Sequence, residues 1–186
     1  QVDATLVANL RGIGSSPPDF DAKRYQASGN FIYLRGGASR SDGLPGGMQV
    51  AARVAAQFCQ DPLVAPEQFV AGGIDSVRGY LEVSASGDYG AVLSVEVRSP
   101  SLLTYLGAPE LGEWRAYLFT DAAWTAIYYA LPEQRPNAGL WSVGAGTRAR
   151  LLGSLGGEVD VGLPLRSQGT TEKLHPRVQF RIYGSF

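Results

Sequence analysis

One cysteine, one histidine, one methionine and a charged fraction of 18% leave this 186-residue chain with little reactive chemistry. The single Cys59 excludes an internal disulfide, and is expected as a small apolar residue, buried or facing lipid. His175 is the only histidine, which rules out metal clusters or catalytic triads built on several histidines. Ser, Asp and His all occur, but no Gly-x-Ser-x-Gly elbow stands between a strand and a helix. Walker loops and dinucleotide fingerprints are also missing. No enzymatic activity, metal or cofactor is therefore expected. A net charge of −1 argues against a strongly basic nucleic-acid binder. Uninterrupted apolar runs fall short of the ~20 residues that a transmembrane helix requires.

What the chain does have is 24 Gly, 9 Tyr and 3 Trp, the composition of a single domain rich in strands and turns. Period-two alternation predicts about eight strands, near residues 3–11, 29–39, 48–59, 88–98, 114–124, 140–151, 156–165 and 175–186. Pro17-Pro18, Gly43-Leu44-Pro45-Gly46-Gly47 and the segments 132–136 and 167–171 punctuate them. The alanine-rich residues 50–56 fit a helix or a strand and are read as strand.

In the last strand Val178, Phe180, Ile182 and Phe186 share one face, while Arg177, Gln179, Arg181 and Tyr183 share the other. The strand before it repeats the pattern, with Val159, Val161, Leu163 and Leu165 opposite Glu158, Asp160 and Gly162. Carboxylates of one strand thus face guanidiniums of its neighbour, as in the polar lumen of a membrane barrel, where cross-strand pairs stabilise modestly. A soluble β-sandwich has the same period, so alternation alone does not choose. The tryptophans favour the barrel. Trp114 and Trp124 lie ten positions apart on one apolar face; at ~3.3 Å per residue and a tilt near ~40° they stand roughly 25 Å apart along the membrane normal, the height of the lipid-facing band.

Between two strand patterns stands Gly72-Gly73-Ile74-Asp75-Ser76-Val77-Arg78-Gly79-Tyr80. Its Val-Arg-Gly-aromatic core resembles the signature of Omp85-type outer-membrane barrels. The longer run Pro62-Leu63, Glu67-Gln68-Phe69, Gly72-Gly73, Val77-Arg78-Gly79-Tyr80 and Gly87-Asp88-Tyr89-Gly90 is similar to the two-partner-secretion transporters of that superfamily, the hemolysin secretion/activation type. Glu96-Val97-Arg98-Ser99-Pro100 resembles their Glu-x-Arg-x-Pro. Phe119-Thr120-Asp121 resembles their Phe-x-Asp-x-Gly strand motif, with Ala123 in place of the glycine.

The resemblance implies an all-β fold, an antiparallel transmembrane β-barrel over residues 1–186 that corresponds to the C-terminal half of the family barrel, with no segment like the periplasmic POTRA domains. It further implies that the loop carrying Val77, Arg78, Gly79 and Tyr80 folds into the lumen, where Arg78 pairs with Asp121 of the strand motif begun by Phe119. Glu96 is a nearby candidate acceptor, because Asp121 and Glu96 both fall on the lumen face by parity. Arg35, Arg53, Arg148 and Arg150 fall on lumen faces too. Counting back from a periplasmic C-terminus puts residues 12–28, 60–87, 127–139 and 168–174 outside the cell, and 40–47, 99–113 and 152–155 in the periplasm.

The expected function is secretion of a partner polypeptide through the bacterial outer membrane, driven by folding of the exported chain outside. Expected partners are outer-membrane lipid, the secreted polypeptide and the barrel assembly machinery. A small structural or assembly barrel without transport, and a soluble β-sandwich binding module, are the alternatives. About eight strands close into a barrel whose interior side chains fill. The chain is therefore half of a sixteen-stranded barrel, a small barrel that closes alone, or one copy of an edge-to-edge homodimer.

Phe186, ending an alternating apolar strand, resembles the C-terminal recognition signal of outer-membrane barrels. Deleting it should slow insertion in cells while leaving refolding of the purified protein in detergent nearly unchanged. A soluble core would instead lose about 3–5 kcal/mol with that ring, which a denaturant titration of the purified protein reads directly.

Overall fold

Period-two alternation becomes a two-faced sheet in the computed structural model, which describes residues 1–9, 23–27 and 29–184. Its strands are β1 Val2–Asn9, β2 Phe31–Gly43, β3 Gln49–Cys59, β4 Phe69–Ala71, β5 Ala85–Gly87, β6 Tyr89–Arg98, β7 Gly112–Ala126, β8 Asn137–Leu151, β9 Leu155–Pro164 and β10 Arg177–Gly184. Eight of them form one antiparallel sheet in the order β1-β2-β3-β6-β7-β8-β9-β10, and β4 and β5 pair as a separate hairpin. Each long strand pairs with the next long strand in sequence. The connections 44–48, 99–111 and 152–154 lie at one end, and 60–88, 127–136 and 165–176 lie at the other.

The two faces reverse the polarity of a water-soluble sheet. Leu118, Phe180, Ile182 and Val178 are 67%, 74%, 75% and 64% exposed, joined by Leu6, Ile32, Leu34, Phe58, Trp124, Trp141, Val159 and Val161. Asp121, Ser142, Thr125 and Asp160 are buried on the opposite face. A β-sandwich buries its apolar face and hydrates its polar one, so this arrangement excludes the sandwich. It suits lipid outside and a polar lumen inside. Among the described residues the buried apolar clusters lie where connections cover the concave wall. One joins Phe69, Ala71, Val77, Tyr80 and Ala85 to Val92, Ala123 and Leu140, and the other joins Phe31, Tyr33 and Cys59 to Leu63.

Several strand ends differ from the sequence expectation. β2 continues to Gly43, pairing Arg40, Ser41 and Asp42 with Ala52, Ala51 and Val50, so the connection expected at 40–47 shrinks to 44–48. Polar residues on both faces read as a loop, yet beyond the apolar band a barrel strand needs no apolar face. β7 and β8 each run 15 residues, longer than the ~9–11 that cross a bilayer, for the same reason. Residues 50–56 are strand, as expected. The β4–β5 hairpin and a short helix, Leu102–Tyr105, are additions. Phe186 and the first part of the connection after β1 lie outside the described residues.

Among the described residues β1 and β10 are the two ends of the sheet and do not pair with each other, so these strands do not form the self-closing eight-stranded barrel.

Leu118 lies on the exposed apolar face of β7, between Trp114 and Trp124. Leu118→Arg should cost about 2–4 kcal/mol at the bilayer midplane and deplete the heat-modifiable folded form in lipid vesicles. Glu133→Arg, in the exposed connection 127–136, should fold like the unaltered protein.

Candidate functional site

The connection 60–88 turns back over the concave face rather than into solvent. The β4–β5 hairpin forms its stem, and the turn between them carries the Val-Arg-Gly-Tyr motif. Val77 and Tyr80 are fully buried, and Arg78 is 4% exposed. A guanidinium removed from water must find acceptors, since an unpaired buried charge is strongly destabilising.

Arg78 finds them on β6 and β7. Its Nε and Nη2 donate to the two oxygens of Asp121, at 2.8 and 2.9 Å. Its backbone N–H also donates to Asp121 Oδ2, at 3.0 Å. Nη1 donates to Glu96 Oε1 at 2.7 Å, and Nη2 to Ser94 Oγ at 3.2 Å. Ser94 lies directly opposite Asp121 in the β6–β7 register and donates to its Oδ1 at 2.6 Å. The two parallel bonds to one carboxylate are a geometry that Lys cannot copy. Burial alone would lower the pKa of Arg78, but the bonds and charge of Asp121, with Glu96 and Asp160, outweigh it and hold the group above its ordinary value. The loop therefore carries a permanent cation.

Phe119 supplies the floor under this pair. The Arg78 guanidinium carbon stands 3.6 Å from the Phe119 ring centre, within cation–π range. The ring has room because its partner across the β7–β8 ladder is Gly144, where an added Cβ would come within 2.3 Å of it. Ala123, in the place of the motif glycine, puts its methyl group into the apolar cluster with Val77 and Tyr80.

The remaining motif residues dock on the other side. Gly79 has φ +89°, a left-handed conformation that other residues adopt only with strain. Its position also lies against the backbone of Gly162 on β9, since a Cβ on Gly162 would stand 2.5 Å from the Gly79 nitrogen. Gly79 N–H donates to Gln179 Oε1 on β10 at 2.9 Å. The Tyr80 hydroxyl reaches the end of the β8–β9 ladder, 3.0 and 2.8 Å from the carbonyls of Trp141 and Arg166, which share its single proton. One four-residue tip thus touches β6, β7, β8, β9 and β10.

Residues that the sequence placed inward or in a motif, but not at the loop, complete the site. Asp160 on β9 lies 3.7 Å from Arg78 Nη1 and accepts from the Tyr117 hydroxyl at 2.7 Å. Arg98 donates to Glu96 Oε2 at 2.6 Å, and Arg148 donates to Glu158 at 2.8 Å. Lumen parity marked Asp160 and Glu158 as inward, but only register shows which of them reaches the loop. Of the other arginines expected inside, Arg35 bonds Gln57 at 2.8 Å and Arg53 donates to the Asp75 carbonyl. Arg150 lines a small cavity with Arg115 and Tyr183, away from the tip. Below the tip a cavity of about 640 Å³ opens between Arg53, Arg98, Arg181, Glu158 and Asp75. Among the described residues no group of three or more His, Cys, Asp or Glu could hold a metal.

The family model for haemolysin secretion/activation protein ShlB/FhaC/HecB matches residues 13–149. Among solved structures, CdiB from Escherichia coli is similar with a TM-score of 0.76 and 23% identity, over 100% of this chain and 33% of that one. CdiB from Acinetobacter baumannii is similar with a TM-score of 0.60 and 19% identity, over 84% of this chain and 27% of that one. The chain thus spans about a third of the length of the solved structures it matches. Comparison with curated proteins gives no match.

Removing one partner of a buried ion pair typically costs ~3–5 kcal/mol, here charged to docking of the tip rather than to strand pairing. With Val77→Cys as a reporter in a Cys59→Ala background, Arg78→Ala should raise maleimide labelling by about a hundredfold or more. Gly162→Ala should raise it as well, by pushing Gly79 off β9. Arg78→Ala combined with Asp121→Ala should cost less than the two changes added, the mark of a direct pair.

Proposed function

The chain belongs to the haemolysin secretion/activation protein family ShlB/FhaC/HecB, and from that premise we propose that its eight strands form part of a larger pore that secretes a partner polypeptide. The family is one of Omp85-type outer-membrane β-barrels of two-partner secretion, and the sheet has the inverted polarity that such a barrel needs. The observation that carries the proposal is a motif tip occupying the inner face of a sheet whose end strands, β1 and β10, each pair on one side only among the described residues.

Free edges leave backbone N–H and C=O groups unpaired, which the hydrocarbon of a bilayer does not tolerate. Strands from the remainder of the barrel would satisfy β1 and β10. Eight strands alone would enclose only their own side chains, whereas this concave face already accommodates a loop. A wider barrel leaves room for both the loop and an extended polypeptide. In this reading residues 1–186 are a transmembrane β-barrel domain, the connections 60–88, 127–136 and 165–176 face outward, and the cargo is a haemolysin-type polypeptide.

The Arg78 network acts as a lock on the wall of that pore. Its parts have separate roles: Asp121 and Glu96 hold the cation, Phe119 supports it, and Gly79 and Tyr80 seat the tip against β8 to β10. No nucleotide site is involved, and folding of the exported chain outside the cell supplies the driving force.

The test uses the full-length protein with its secreted partner in the same cells. Arg78→Ala and Asp121→Ala should reduce secretion about tenfold or more, as a lost interaction of ~1.4 kcal/mol or greater would, while the amount of heat-modifiable barrel in the outer membrane is kept. Arg135→Ala, in an exposed connection, should secrete normally. Equal secretion by all three at equal barrel levels would reject the lock. A wild-type protein that neither secretes nor conducts in planar bilayers would point to a structural barrel.

A further inference from the structure

We infer that Asp88 and Arg24 form a second, releasable clasp at the loop end of the barrel, holding its connections together independently of Arg78. The inference rests on the pore reading above. It starts from Gly87-Asp88-Tyr89-Gly90, a motif that the lock does not use.

Asp88 stands between β5 and β6 and is completely buried. Its backbone N–H donates to the Ala126 carbonyl at 2.8 Å. Gly87 allows this close approach, since a Cβ there would lie 2.5 Å from the same carbonyl oxygen. The carboxylate is thereby held against the end of β7, where donors converge from three separate connections. Oδ1 accepts from the Leu63 N–H at 2.9 Å, and Oδ2 from the Tyr128 N–H at 2.7 Å. Arg24, in the connection between β1 and β2, donates from Nη2 to Oδ2 at 2.6 Å and from Nη1 to Oδ1. It also donates to the carbonyls of Leu63 and Tyr128. Gln68 adds a longer bond to Oδ1, at 3.4 Å.

The bonds are arranged so that one partner can leave. Without Arg24, Asp88 keeps two backbone N–H donors, one from residue 63 and one from residue 128. Arg24, still 16% exposed at its side chain, can move into water and regain hydration. A buried pair with two side-chain partners and no other donors would pay a full unpaired-charge penalty on opening. The two backbone donors lower that penalty here, so residues 23–27 can swing away while the carboxylate keeps hydrogen-bond partners. Tyr128 makes the junction continuous with the wall: its hydroxyl donates to the Cys59 carbonyl at 3.1 Å, and its ring packs 5.0 Å from Tyr89.

The three connections that meet at Asp88 follow neighbouring strand pairs of one wall, so parting them would widen the mouth of the proposed pore for a leaving polypeptide. Asp88 is the point where 23–27, 60–88 and 127–136 meet, which makes it a positioning residue for the closed state. Arg78 fixes the tip of the loop, and Asp88 fixes its base.

The experiment uses the full-length protein in planar bilayers and in proteoliposomes treated with trypsin. Arg24→Ala and Asp88→Asn should increase channel opening frequency about tenfold, with Arg24→Lys, which keeps the charge but not the paired bonds, in between. Trypsin cleavage after the exposed Lys23 should rise in parallel, and heat-modifiable migration should stay unchanged. A merely structural role would lower the unfolding temperature and leave opening and cleavage as they were, which overturns the clasp. Should Asp88→Asn not fold, Arg24→Ala decides, because it leaves the backbone donors to Asp88 in place. A wild-type protein without conductance would refute the pore reading, while unchanged Lys23 cleavage in Arg24→Ala would refute the clasp itself.

Discussion

One buried cation organises this molecule. Arg78 is buried against the inner face of the sheet, and the groups that touch it keep its charge paired. Asp121 accepts from its side chain and from its backbone, so the carboxylate fixes both the guanidinium and the turn that carries it. Ser94 and Glu96 reach the same point only because the β6–β7 register puts Ser94 opposite Asp121. A slip of β7 by one residue against β6 would turn Asp121 to the opposite face, away from Glu96 and Ser94. The lock is therefore also a check on correct strand pairing.

Such a pair is not primarily a source of stability. The cost of removing both ions from water offsets much of their attraction, and apolar side chains of similar volume often do as well or better. What the charge pair offers is a single permitted position. A greasy tip could slide along the wall, but a planar guanidinium between Asp121 and Glu96, over the face of Phe119, has one low-energy seat. Within the proposed pore, a defined position that can be given up as a unit would suit gating better than a diffuse apolar contact.

The same reasoning separates the two faces of the sheet. Lipid demands an apolar exterior and paired backbone, while the interior is free to be polar. Phe180 and Ile182 are therefore exposed while Asp121 and Asp160 are buried. Where loops cover the wall, small apolar clusters form around Tyr80 and around Leu63, and each lies beside one buried carboxylate, Asp121 or Asp88. The connection 60–88 is thus held at two separated points by charge and between them by packing.

Parity along each strand was legible in the sequence, because alternation is a property of the extended backbone itself. It placed Leu118 outward and Glu96, Asp121, Asp160 and Arg148 inward, and the motif residues singled out the loop between Gln60 and Gly87. Strand ends were less legible: Arg40, Ser41 and Asp42 carry no apolar face, so nothing local distinguishes them from a turn, yet they pair with β3. The three-residue strands β4 and β5 are too short to show a period. Which inward carboxylate meets which cation was not legible from parity: Arg78 with Asp121 was expected only from the resemblance of their motifs to a family, and Arg24 with Asp88 emerged only in the folded chain. Arg78 and Asp121 are 43 positions apart, and Arg24 and Asp88 are 64 apart. Those meetings depend on register between strands and on where a long connection comes to rest, and both are set by the sum of distant contacts rather than by any local run of residues.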